Sequence, residues 1–222
     1  YIYMPIWINL YNQDRLSPVM EHLKFFHDHT IIVIISLSFI FFVLIILSVL
    51  RKKFNHFYLE SQLIEFFWTF APSLLLIFLA IPSIKILYLL EEQVKPLITI
   101  KITGYQWFWG YEYFSRKKTV QNRFESNLLK SNKTFKLLEV SNNVVVPYAI
   151  PIRLLVTSKD VIHSWAIPSI RVKIDAMPGR INQRTTTINR PGYLVGQCSE
   201  ICGSGHRFIP IYLESINFKG LF

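Results

Sequence analysis

Residues 30–50 run for twenty-one positions without a charged side chain, and nothing else in the chain constrains its fold as much. At about 1.5 Å of rise per residue such a helix extends roughly 30 Å, the thickness of a hydrocarbon core. Asp28 and Thr30 are placed to cap its start, and Arg51, Lys52 and Lys53 end it abruptly. A cleaved signal peptide fits poorly. The stretch is too long, it follows a 29-residue leader, and it has no small-residue cleavage site.

A second apolar stretch covers residues 64–90. Pro72 and Pro82 interrupt it, as membrane helices tolerate, and its one interior charge, Lys85, lies near the far end where it can snorkel. The two stretches predict a transmembrane hairpin. The basic cluster in the connecting loop, residues 51–63, places that loop on the matrix or cytoplasmic side, with both chain ends outside. The expected organisation is therefore an outer N-terminal segment 1–29, a hairpin 30–90 and an outer domain 91–222. The chain begins with Tyr1, so the initiator is missing, processed or encoded by a non-standard start.

Charge divides the chain the same way. Residues 1–96 carry seven Lys/Arg and seven Asp/Glu, whereas residues 97–222 carry seventeen and seven, so the whole excess of +10 lies in the outer domain. Nucleic acid or an anionic surface is the usual reading of such an excess. Long domains translocate largely regardless of charge, so the excess does not oppose the topology, and no nucleic-acid partner is expected. Phe, Ile, Leu, Tyr, Asn and Lys are abundant and Gly scarce, a bias that suits an A+T-rich genome as well as a membrane protein.

From residue 97 onward the pattern turns to short β-type runs: 97–103, 106–113, 135–140, 152–158, 161–167, 183–188, 193–197 and 209–215. Turn signals such as Pro178-Gly179 and Pro191-Gly192 separate several of them. Many short strands at this spacing predict an antiparallel sandwich or barrel. Residues 116–136 are polar and irregular and read as a long loop or hairpin excursion.

The strongest chemical signal is Cys198, Cys202 and His206 within nine residues, with Gly203 and Gly205 letting the backbone curl. His163 offers a fourth ligand. Thiolate with imidazole selects Cu(I), Zn or an iron–sulfur cluster over hard cations. Zinc in a Cys₂His₂ site and a Cys198–Cys202 disulfide both remain open on spacing alone.

These residues also resemble a family. The runs 196–206, 160–168 and 175–183 are similar to the dinuclear copper (CuA) region of cytochrome c oxidase subunit II. So are the runs 106–113, 26–30 and 64–69, and all occur in the family's order; only residues 116–136 resemble nothing specific. The resemblance implies an all-β, cupredoxin-like Greek-key sandwich or barrel after the two-helix hairpin. It implies two copper ions bridged by Cys198 and Cys202, each also held by an imidazole, His163 or His206. Glu200 contributes its backbone carbonyl to copper, and its side chain reaches a magnesium shared with subunit I. By the same resemblance Trp107 would be the ring through which cytochrome c delivers its electron, Glu112 and Asp160 would help dock that donor, and Glu65 would take up protons for a pathway into subunit I. The implied partners are cytochrome c, subunits I and III and the lipid bilayer. The implied location is the mitochondrial inner membrane, crossed twice, with both termini in the intermembrane space. The implied activity is electron transfer to the heme of subunit I, which reduces oxygen to water and pumps protons. The copper cysteines separate the chain from related quinol oxidases, and the hairpin separates it from nitrous oxide reductases.

One position departs from the family. Where a Met serves as weak axial ligand, this chain has Ile209, which has no donor atom. Met4, Met20 and Met177 are not obvious substitutes. A weak axial ligand tunes potential more than it holds metal, so copper with altered properties is expected. The departure, with the basic charge, also keeps open a copper-free or zinc-binding assembly subunit. Ordinary readings stand beside the functional ones: the aromatic run at 107–113 as sandwich core, Glu65 as a solvated carboxylate at the lipid boundary, and His27, Asp28 and His29 as an interfacial helix start.

Overall fold

A computed structural model describes residues 14–51, 59–91, 95–115, 118–129 and 137–217. It contains two compact units. One is helical, residues 22–90; the other joins the segment before residue 22 to everything from residue 91.

The helical unit is a pair of helices, α1 (Pro18–Leu50) and α2 (Gln62–Glu91). Apolar side chains are exposed all round both, from Phe25 and Ile32 to Phe78 and Leu87. A helix apolar on every face is matched to a lipid surround, so the chain is a membrane protein. The prolines at 72 and 82 lie inside an unbroken α2. Hydroxyls take up nearby carbonyls: Thr69 Oγ1 donates to Glu65 at 2.9 Å, and Ser73 Oγ to Thr69 at 2.7 Å. His29 packs on Phe78 with ring centres 5.5 Å apart. Lys52 and Lys53 of the basic loop fall outside the described residues.

Helix α1 begins at Pro18, not near residue 30, which corrects the expected cap. Ser17 is the cap, its Oγ accepting from the Met20 N–H at 3.2 Å, with Pro18 at the first helical position and Glu21 in the first turn. Asp28 instead pairs with Lys24 at 3.0 Å, one turn back, and with His27 at 3.2 Å. Thr30 Oγ1 donates to the Phe26 carbonyl at 2.8 Å. Charges on the first three turns conceal the helix from a search for uncharged runs.

Among the described residues the second unit is a β-sandwich of ten strands: β1 (Ile98–Tyr105), β2 (Phe108–Ser115), β3 (Lys118–Ser126), β4 (Val144–Pro147), β5 (Pro151–Ser158), β6 (His163–Ile167), β7 (Val172–Ala176), β8 (Asn182–Thr187), β9 (Gly192–Gln197) and β10 (Pro210–Ile216). They form a five-stranded sheet in the order β3-β2-β1-β5-β8, a three-stranded sheet β4-β10-β9, and the hairpin β6-β7. The expectation of purely antiparallel pairing is corrected, because β1 pairs with β5, and β4 with β10, in parallel. Part of the expected loop 116–136 is strand β3, while residues 116–117 and 130–136 lie outside the described residues. The expected strand at 135–140 is a turn from residue 137, with Val140 making only an isolated bridge to Leu128. Strands β4 and β7 were not expected.

The core lies between the sheets. Ile152, Leu154 and Val156 of β5 face inward with Ile211 and Leu213 of β10, all nearly free of solvent. Burial on that scale contributes about 25 cal/mol per Å² of apolar surface. One buried and one half-buried polar contact fix the packing. Trp165 Nε1 donates to the Tyr111 hydroxyl at 3.2 Å, and the Tyr113 hydroxyl donates to the Val145 carbonyl at 2.9 Å while accepting the Val145 N–H at 2.8 Å. Burial pushes both tyrosines far above their ordinary range, so they stay neutral.

A strap of N-terminal chain is stitched onto this unit. The Leu16 N–H donates to Ser169 at 3.0 Å, the Asn189 N–H to Leu16 at 2.8 Å, and Ser17 Oγ to Ile170 at 2.8 Å. Leu16 and Ser17 are buried as a result.

Candidate metal centre

Three segments meet at one end of the sandwich: the turn between β1 and β2, the start of β6, and the loop from β9 to β10. The loop is anchored at both sides. The Cys198 N–H donates to Ile209 at 3.1 Å and closes its base, and the Ser199 N–H donates to Ser164 of β6 at 3.0 Å. Its far side is a tight turn, with the His206 N–H on the Gly203 carbonyl at 3.2 Å and the Phe208 N–H on Gly205 at 2.9 Å. Gly203 has φ of +120°, a conformation side chains rarely adopt.

His163 is fully buried, and Cys198 and Cys202 nearly so. One donor atom from each of the three lies within 4.8 Å of the others. The Cys198 Sγ is 4.0 Å from His163 Nδ1, and the Cys202 Sγ is 3.5 Å from His206 Nδ1. Both cysteines are free thiols, so the disulfide alternative is not taken up. The Cys198 thiol lies 3.4 Å from the Glu200 carbonyl, while the Glu200 side chain is exposed. Ile209 is buried among core residues that include both cysteines.

Asp160 organises the imidazole. Its Oδ1 is 2.8 Å from His163 Nε2 and accepts the Val161 N–H at 2.6 Å, while Oδ2 accepts the Gln106 N–H at 2.7 Å. With Nε2 committed to a carboxylate, Nδ1 is the nitrogen left for the thiols. Gly104 lies beneath the ring, where a Cβ would come within 2.8 Å of His163 Cδ2. Burial pushes the Asp160 carboxyl up, but hydrogen bonds from His163, Val161 and Gln106 outweigh it and leave it below its ordinary value. Burial lowers His163, and its contacts with Cys198 and Asp160 more than reverse that. Burial raises the Cys198 thiol, and the His163 and Ser164 contacts bring it down below a free thiol. Burial and the neighbouring Cys198 charge drive Cys202 up. Two buried thiolates this close are mutually repulsive without a cation between them. Soft, buried, partly activated donors of this kind fit a thiophilic metal, and copper suits them.

Trp107 lies against the loop. A Cβ on Gly205 would come within 2.3 Å of its ring, and one on Gly203 within 3.4 Å of its Nε1. Its side is 40% exposed, so the ring joins the loop to solvent. The Gln106 side chain completes the link, donating to the Cys202 carbonyl at 2.8 Å. Glu112 lies apart from this cluster, on the sheet face between cross-strand neighbours Lys101 at 3.5 Å and Arg123 at 3.8 Å. Both carboxylates expected at a docking surface are thus engaged within the domain. Glu65 occupies the first turn of α2, its N–H on the Ser61 carbonyl at 3.1 Å, in the other unit. Sequence reasoning missed the positioning parts of Asp160 and Gln106. The three-residue spacing of Asp160 and His163 was the available signal.

Comparison with known proteins gives a consistent result. The family model for the periplasmic domain of cytochrome c oxidase subunit II matches residues 98–216, and that for its transmembrane domain matches residues 5–86. Cytochrome c oxidase subunit 2 of Choristoneura rosaceana is 49% identical over 220 residues, covering 97% of this chain and 96% of its own length. That of Periplaneta americana is 47% identical over 221 residues, covering 98% and 96%. Among solved structures, the periplasmic domain of subunit II of the Bradyrhizobium japonicum cytochrome oxidase is 42% identical with a TM-score of 0.53, covering 57% of this chain and 89% of that one.

Proposed function

Because the chain belongs to the cytochrome c oxidase subunit II family, and so is one subunit of an oxidoreductase complex with a cupredoxin-like domain, we propose that it is the electron-accepting subunit, taking electrons from cytochrome c for delivery to the heme of subunit I. The observation that carries this reading is the buried convergence of His163, Cys198 and Cys202, with His206 3.5 Å from Cys202.

Those four side chains and the Glu200 carbonyl would hold two copper ions. Copper held there would supply a one-electron couple. The chain's own residues do the rest. Asp160 holds His163 by Nε2 and presents Nδ1 inward. The hydrogen bonds from Cys198 and Ser199 fix the loop, so the thiols keep their places as charge changes. Trp107 exposes one edge to a donor while its other face rests on the loop glycines, and Gln106 keeps that contact in register. The exposed Glu200 side chain is free to reach a magnesium shared with subunit I. Glu65, at the start of α2, is placed for proton uptake into the pathway of subunit I, which reduces oxygen and pumps protons.

The setting we propose is the mitochondrial inner membrane, beside subunits I and III. Residues 15–17 and the β-unit are hydrogen-bonded together, and two membrane-length helices intervene in the chain. Both observations support a reading in which the two ends share the intermembrane space, and the basic residues 51–53 between the helices favour a matrix-side turn.

Metal analysis of the full chain, purified in detergent after copper loading, tests the reading. Two coppers per chain, lost in Cys198→Ser, are expected, because a hydroxyl does not replace a thiolate ligand at neutral pH. One tightly held zinc and no copper would replace it with the assembly-subunit reading.

A further inference from the structure

We infer that Trp109 is a positioning residue for the metal ligand His163. With Gly104 on the neighbouring strand it fixes the plane of the buried imidazole, and hence the direction in which Nδ1 points. This rests on the copper reading above and adds to it the residues that orient one ligand.

The contact with Asp160 leaves one freedom open. It holds His163 at Nε2. In an imidazole that atom lies near the extended Cβ–Cγ axis, so a partner there holds the ring in place but resists turning about the axis weakly. Torsions of this kind are broad. Turning swings Nδ1, which lies 4.0 Å from the Cys198 Sγ. The direction of that nitrogen therefore depends on what presses on the faces of the ring.

Two residues press there. Strands β1 and β2 pair Gly104 directly with Trp109, and opposite residues of an antiparallel pair share one face of the sheet. On that face one strand offers no side chain and the other offers the largest. The His163 ring takes the space that Gly104 leaves. A Cβ at Gly104 would come within 2.8 Å of His163 Cδ2 and 3.0 Å of its Cγ. The Trp109 indole meets the same imidazole with ring centres 5.8 Å apart and planes at 62°, close to the edge-to-face arrangement that aromatic pairs prefer. Trp109 and His163 are both fully buried. In an interior packed to crystal density, neither ring turns without displacing its neighbours.

The indole acts here through its ring and not through its N–H. Trp109 Nε1 is buried without a hydrogen-bond partner among the described residues, whereas Trp165 Nε1 donates to the Tyr111 hydroxyl. An unpaired buried donor weakens a fold. Trp109→Phe removes that donor and keeps an aromatic ring, so this variant should fold.

The test uses the copper-loaded full chain in detergent, as wild type, Trp109→Leu, Trp109→Phe and Gly104→Ala. Electron–nuclear double resonance reads the nitrogen couplings of the two imidazole ligands, and potentiometry reads the copper couple. Asp160→Asn identifies the coupling that belongs to His163. Trp109→Leu and Gly104→Ala should each shift that coupling, leave the His206 coupling in place and change the potential. Trp109→Phe should show the same shift to a smaller degree. Trp109→Leu should also lose copper to a chelator about 10-fold more readily. General loosening of the core would lower Tm and move both couplings or neither, which would overturn the inference. Wild-type couplings and potential in Trp109→Phe, and in whichever of the other two variants folds, would also overturn it and leave the copper reading intact. A wild-type chain without a two-copper signal would fail the copper reading itself, and the inference with it.

Discussion

Asp160 Oδ1 stands 2.8 Å from His163 Nε2, and that one contact determines which nitrogen of the buried imidazole faces the two thiols. The carboxylate also holds the Gln106 and Val161 backbones, so a single side chain registers the His163 strand against the Trp107 turn. Outer partners of this kind are commonly worth 10- to 100-fold in metal affinity. Asp160→Asn should therefore keep the fold and lose copper to a chelator about 10- to 100-fold more readily. A shift in the copper spectrum should accompany the loss. Retention of wild-type affinity and spectrum would show that the contact positions nothing.

The same pair sets a pH dependence in the metal-free chain. The Asp160 carboxyl is depressed, so its contribution is present above the ordinary carboxylate range and lost as pH falls below it. His163 is raised, so its contribution is complete below the ordinary imidazole range and lost as pH rises through its elevated folded value. The stabilising pair therefore operates in mildly acid solution. The difference in Tm between wild type and Asp160→Asn, measured without metal, should be largest there and shrink on both sides.

Gly205→Ala tests the seat of Trp107. The new Cβ would fall 2.3 Å from the ring, so the indole must move off the loop. Copper content should persist, while reduction by a protein donor slows at least several-fold and reduction by a small molecule does not. Equal slowing with both reductants would place the damage in the metal centre.

Ile209→Met restores a thioether in the buried position that follows the loop. Ile and Met are close in volume, so the stability cost should stay below about 1.5 kcal/mol. Potentiometry should register a changed copper potential with unchanged copper stoichiometry. A changed stoichiometry would make this residue a determinant of metal retention.

Ser17→Ala removes the cap of α1 and the donor to Ile170 together. Loss of a cap costs about 0.5–2 kcal/mol, and a buried carbonyl left without its partner costs about 1–3 kcal/mol more. Thermal unfolding of the full chain should reveal the β-unit destabilised by an amount of that order. A change confined to the helices would show that the strap does not brace the sandwich.

The hairpin and the cluster were legible because each rests on local pattern: uncharged runs of membrane length, and two cysteines with a histidine inside nine residues. What hid was set by tertiary context. Strand β3 is polar and lies at the edge of its sheet, so only Phe124 and Ser126 among its described side chains report an inward face. Strand β4 is four residues long and ends in Pro147. Strand β7 carries a short alternating signal, with Val172, Ile174 and Ala176 buried between exposed Lys173 and Asp175, but five residues are too few to stand out from the flanking loops. The parallel pairing of β1 with β5 joins residues more than fifty apart, and no local pattern encodes it. The engagement of Glu112 by Lys101 and Arg123 depends on the register of three strands and was invisible for the same reason.

The central claim is that Cys198, Cys202, His163 and His206 hold a pair of copper ions that share one electron. Electron paramagnetic resonance of the copper-loaded full chain tests it most directly. The predicted spectrum has hyperfine structure from an unpaired electron spread equally over two copper nuclei, and it disappears in Cys198→Ser. A single-copper spectrum, or a silent protein that contains zinc, would contradict the account.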